Sequence, residues 1–122
     1  MIRYTILGSN NVEAARAFYT PLMAALGASE LFDTGRLYFY GHSMDQPMLC
    51  IGGPYDREAA SVGNGVMVSL DAGSTEKVDA LYALALELGG TDEGAPGERM
   101  PSFYGAYVRD LDGNKLCFCK LG

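Results

Sequence analysis

Three cysteines, one histidine and a scatter of carboxylates are the residues of this 122-residue chain best equipped for chemistry. Cys117 and Cys119 stand two apart, the spacing that puts both thiols on one face of a strand. A cysteine attacks as its thiolate and needs a neighbouring base or cation to form one. The single histidine, His42, falls in the polar run His42–Pro47, where a solvent-exposed or turn-packing role is the ordinary one. Without a base beside them, Cys50, Cys117 and Cys119 read as small buried hydrophobes, and Met67 as a flexible filler of irregular core space. Gathered in one place, these four would suit only a soft ion such as Cu(I) or Hg(II). Asp110 and Asp112 invite an acid–base pair, but they stand in Arg-Asp-Leu-Asp-Gly-Asn-Lys. There Asp and Asn bond the local backbone and Gly accepts positive φ, so the segment reads as a turn. Arg99 and Arg109 fit surface ion pairs better than an anionic ligand.

The elements that must position these residues come in two similar runs, Ile2 to about Gly52 and about Gly65 to Cys119. Each reads as a strand, an amphipathic helix and then short strands. Ile2–Leu7 is β-prone; Ser9-Asn10-Asn11 offers helix-capping side chains, with Glu13 three residues after Asn10 as in a capping box. Ala15, Phe18, Leu22 and Ala25 share one helix face, and Gly27 is a suitable left-handed stop. Pro21 lies inside that helix and is expected to kink it or open its last turn. Ser29–Phe32, Arg36–Tyr40 and Met48–Ile51 follow as strands. Gly52 to Asn64 is rich in turn formers and reads as a linker, without the spacing of a phosphate-binding loop. In the second run Val66, Val68 and Leu70 alternate with polar or bulky residues, and Val78, Leu81, Ala85 and Leu88 recur at helical spacing. Ala106 and Val108, then Leu116 and Phe118, form a hairpin around Asp112-Gly113-Asn114.

Bulk composition narrows the function classes. A formal charge of −6 with no Lys/Arg cluster argues against nucleic acid. No apolar run reaches the roughly 20 residues that span a bilayer, and the N-terminus does not read as a secretory signal, so no membrane partner and a cytoplasmic location are expected. An odd cysteine count without a CxxC pair fits reduced thiols. One domain is expected over 1–122, with a first module at about 1–53, a linker at about 54–63 and a second module at about 64–122.

The closing segment Phe103-Tyr104-Gly105-Ala106-Tyr107-Val108-Arg109-Asp110-Leu111-Asp112-Gly113-Asn114-Lys115-Leu116 resembles the terminal signature of the vicinal oxygen chelate superfamily, which includes glyoxalase I, extradiol dioxygenases and bleomycin-resistance proteins. Ala17-Phe18-Tyr19, Gly52-Gly53-Pro54-Tyr55-Asp56 and Gly63-Asn64-Gly65 are similar to its glyoxalase-like branch. The resemblance implies an α+β fold of two repeated βαβββ modules forming a concave, cavity-enclosing mixed sheet with helices on its outer face. It also implies a homodimer. Metal-dependent members of that superfamily place His in the first strand, His or Gln at the start of the second half and Glu in the last strand; here those positions hold Tyr4, Met67 and Cys117. A phenol, a thioether and a thiol are poor ligands for the ions such sites use, so no divalent metal or other cofactor is predicted there.

Strand parity then fills the cavity. If Val66, Val68, Leu116 and Phe118 face the helices, the opposite face carries Tyr4, Ile6, Met67, Ser69, Cys117 and Cys119. Met48 and Cys50 turn the same way, and Tyr38, Tyr40 and Tyr107 would add phenolic hydroxyls. Such a lining suits a small planar or apolar molecule held by stacking and one or two hydrogen bonds. Two other readings stand beside it: a glyoxalase-like lyase or dioxygenase with an unconventional metal site, and a non-catalytic dimeric interaction module.

Overall fold

The computed structural model of the chain describes residues 1–122 and comprises two compact units, Met1–Val62 and Gly63–Gly122. The first contains β1 (Tyr4–Gly8), α1 (Val12–Ala25), β2 (Ser29–Asp33), β3 (Leu37–Gly41) and β4 (Met48–Gly52). Its sheet runs in the order β1-β4-β3-β2, with β1 parallel to β4 and the other neighbours antiparallel. The second unit repeats the plan with β5 (Val68–Asp71), α2 (Thr75–Glu87), β6 (Thr91–Met100), β7 (Phe103–Arg109) and β8 (Lys115–Leu121), ordered β5-β8-β7-β6. There β5 is parallel to β8, and the rest is antiparallel. The two runs read from the sequence are therefore two βαβββ repeats, each with a mixed sheet.

Local chemistry sets the helix limits. Asn11, not Asn10, caps α1, its side chain accepting from the Ala14 backbone N–H at 3.1 Å. Asn10 is engaged elsewhere: its amide clamps the Ala60 backbone, accepting from Ala60 N at 2.7 Å and donating to Ala60 O at 3.2 Å. The helix ends at Gly27, whose φ of 80° allows Gly27 N to reach Ala24 O and Ala28 N to reach Met23 O. Those two bonds are a Schellman closure, satisfying carbonyls the helix leaves free. Between cap and stop the helix continues through Pro21 to Ala25. Its buried face is Ala15, Phe18, Tyr19, Leu22 and Met23, wider than the periodicity of small and aliphatic residues suggests. Ser74 caps α2 by accepting from Lys77 N at 3.1 Å, and Val78, Leu81 and Ala85 form its buried face.

Two strands differ from the sequence reading. The strand expected from Val66 begins only at Val68; Gly63 O accepts from Val66 N in a turn, and both Val66 and Met67 are exposed. In contrast, β6 occupies Thr91–Met100, a stretch whose Gly94, Pro96 and Gly97 disguise it. Register shifts between Asp92 and Gly94, Gly94 and Gly97, and Glu98 and Met100 absorb those residues at the edge of the sheet, where bulges and proline are tolerated. A Cβ on Gly94 would lie 2.9 Å from the Tyr107 ring, so the bulge is also a close approach. No helix is long and apolar enough to cross a membrane.

Candidate functional site

Each sheet has one face covered by its helix and one free of it. In the first unit Leu7, Leu49 and Ile51 share the face toward α1, while Tyr4, Ile6, Met48 and Cys50 have the opposite parity. On that open face Phe39 pairs with Cys50 and lies edge-on to Tyr4, the ring centroids 5.1 Å apart. Phe32 stacks on Phe39 at 4.3 Å with the planes 10° apart. Beneath these rings Leu37, Phe39, Met48 and Cys50 form a buried cluster with Leu31 packed against it, whereas Tyr4 is 48% exposed.

The second unit gathers Ser69, Tyr107, Cys117 and Cys119 on the face opposite α2. Cys117 is paired with Ser69 on one side and Tyr107 on the other. The Ser69 hydroxyl lies 3.3 Å from the Cys119 sulfur, and the Tyr107 ring has the Arg99 guanidinium 5.3 Å and the Lys115 ammonium 5.5 Å from its centroid. On the other face Ala106, Val108, Leu116 and Phe118 are fully buried.

Most of the site residues foreseen from the sequence thus fall into two groups. Tyr4 and Cys50 share the open face of the first sheet; Ser69, Tyr107, Cys117 and Cys119 share that of the second. Met67 precedes β5 and is 43% exposed. Tyr38 is a correction: it pairs with Ile51 on the helix-bearing face, with the Arg16 guanidinium of α1 4.2 Å over its ring. Tyr40 behaves likewise, its hydroxyl 2.8 Å from that of Thr20 in α1. Sequence reasoning missed Phe32 and Phe39. Antiparallel pairing with Cys50 would have placed Phe39 on the open face, but the register shift between Glu30 and Phe32 that brings Phe32 beside it leaves no signature in the alternation.

Burial holds two of the thiols, Cys50 and Cys117, neutral. Burial pushes the Cys50 thiol up to about 11, only partly opposed by a Tyr38 backbone hydrogen bond and the Arg36 charge. Burial likewise raises Cys117 above the usual thiol range, against a hydrogen bond from Ser69. His42 is not near a thiol partner; its Nδ1 lies 3.2 Å from the Gly27 carbonyl at the end of α1, a turn-packing role. Arg109 pairs with Glu93. Asp110 is buried, and its carboxylate accepts from Asp112 N, Asn114 N and the Asn114 side chain, which makes it the organiser of the hairpin turn.

The donor set also fails to fit a divalent metal. Tyr4 offers a phenol, Met67 a thioether and Cys117 a thiol that burial keeps protonated, whereas metal ligation needs a thiolate, imidazole or carboxylate. No group of three or more His, Cys, Asp or Glu side chains comes together that could hold a metal ion.

No family model matches the chain, and no curated protein matches it. Solved structures do. A glyoxalase/bleomycin resistance protein from Albidiferax ferrireducens T118 is 34% identical with a TM-score of 0.87, covering 98% of this chain and 97% of its own. A hypothetical protein from S. aureus is 24% identical with a TM-score of 0.74, covering 98% and 92%. A glyoxalase/bleomycin resistance protein/dioxygenase family enzyme from Burkholderia phytofirmans PsJN, at 18% identity and a TM-score of 0.77 over 98% and 97%, shares the fold. Near-complete mutual coverage at 34% identity, on the paired βαβββ plan that the closing segment implies, places the chain in the glyoxalase/bleomycin resistance protein family of the vicinal oxygen chelate superfamily.

Proposed function

We propose that this protein binds a small planar or apolar molecule on the open faces of its sheets, at a site that uses no divalent metal. It would act as a cytoplasmic homodimer, each chain one domain over 1–122. The observation that carries the reading is the pair of open faces itself. One presents Tyr4 edge-on to Phe39 with Phe32 stacked behind, and the other presents Tyr107 and Ser69 beside the buried sulfurs of Cys117 and Cys119. Stacked rings and polarisable sulfur favour a flat apolar body by about 0.5–1.5 kcal/mol per aromatic contact beyond area burial. Ser69 and Tyr107 add hydroxyls that fix its orientation. Met67, exposed just before the start of β5, would serve as an adaptable lip.

Thermal unfolding with 2-naphthol as the probe tests the reading. A ligand that binds only the folded protein raises the midpoint by mass action, and the rise is expected to be the same with and without EDTA. Tyr4→Ala and Tyr107→Ala should each weaken it. A rise that EDTA abolishes, or one indifferent to both substitutions, would overturn the proposal.

A further inference from the structure

We infer that the first unit carries a second, separate site, for a small organic anion with a flat body, at the end of its sheet where β1 and β4 finish. The linker there is not slack. Asn10 clamps Ala60 by the two hydrogen bonds described above, Arg57 N donates to Pro54 O at 3.1 Å, and Glu58 N donates to the Asp56 carboxylate at 2.9 Å. Folded back in this way, residues 53–54 and 57–59 form one wall of a cavity of about 600 Å³ whose other walls include Ser9, Val12, Arg36 and Tyr38. That volume lies in the range of small-molecule sites, about 300–1,000 Å³.

The polarity of this cavity runs against that of the protein. The chain has a formal charge of −6, yet the walls hold Arg36 and Arg57 against the single carboxylate of Glu58. Arg36 is fixed but not neutralised: its guanidinium donates to the Gly53 carbonyl at 2.6 Å and lies 5.5 Å from the centre of the Tyr55 ring. A carbonyl satisfies a donor without cancelling its charge. Arg57 is exposed and makes no ion pair, and its φ of 65° is a conformation few residues other than Gly adopt. Such outliers persist where the surroundings hold them and are a pointer to function. Two guanidinium groups beside an aromatic wall suit a carboxylate, which arginine binds through paired N–H donors. Tyr38 and Val12 would take the flat body. Because Tyr38 stands on the helix-bearing face, the site is distinct from the open sheet faces and does not depend on the function proposed for them.

Titration of the ¹⁵N-labelled full chain with benzoate, followed by amide shifts, tests the inference, with benzamide as the uncharged counterpart. A fragment of this size is expected to saturate below about 50 mM, moving the amides of Ser9, Gly53 and Arg57 while those of Ser69 and Cys117 stay still. Benzamide should bind at least about tenfold more weakly, the loss of a charge-assisted pair. Arg57→Asn removes the charge and keeps a residue tolerant of positive φ, and should weaken benzoate to the same extent with the rest of the spectrum unchanged. Arg57→Gly, which has no side chain to strain, serves if the Asn variant does not fold. Absence of saturable shifts, equal binding of benzamide, or indifference to the substitution at Arg57 would each overturn the site.

Discussion

Burial sets the chemistry of the thiols. Cys50 and Cys117 have no exposed surface, and desolvation favours their neutral forms. In the native protein at pH 8 all three cysteines are therefore expected to react with a disulfide reagent far more slowly than in the unfolded chain, which should release three thiol equivalents. Rapid native labelling of Cys117 would contradict this. The sign of the linked stability follows: a thiol whose pKa is raised to about 11 by folding binds its proton more tightly in the native state. Its contribution is complete below the unfolded thiol pKa, and is lost as pH rises through the native value, at no more than about 1.4 kcal/mol per pH unit for each group. At the residue scale the sequence was a good guide to parity in β1, β4 and β8, where successive residues take opposite faces in register with their neighbours even though β4 and most of β8 are buried on both. It misled at Tyr38, where β3 is buried on both faces, and at Asn10, where adjacent asparagines compete for one cap.

Elements were legible wherever a periodic apolar face met a stop signal. Both helices and the closing hairpin are of that kind, with Gly27 and Gly113 at positive φ where the chain turns. The edge strand β6 was not, because bulges accommodate its glycines and proline and erase the alternation. The hairpin between β7 and β8 depends on Asp110, whose buried carboxylate meets two backbone N–H groups and the Asn114 amide at 2.8–3.0 Å. Asp110→Ala would strand those donors, so a loss of about 2–3 kcal/mol is expected in denaturant unfolding. A change under about 0.5 kcal/mol, accompanied by loss of a ligand response, would instead make Asp110 part of the binding site.

At the scale of the whole molecule, duplicated βαβββ units and the 34% identical relative establish the family, while chemistry separates this chain from the metal-dependent members its closing segment resembles. The repeat was visible in the sequence because helix and strand periods recur in the same order. Where the metal-dependent members carry metal ligands this chain has Tyr4, Met67 and Cys117, a phenol, a thioether and a buried thiol, and so the protein is expected to hold no divalent metal. Metal analysis of protein purified from cells without chelators tests it most directly: well below one equivalent of Zn, Ni, Fe or Mn per chain is expected, unchanged in Tyr4→Phe. A full equivalent that is lost in Tyr4→Phe or Cys117→Ala would contradict it.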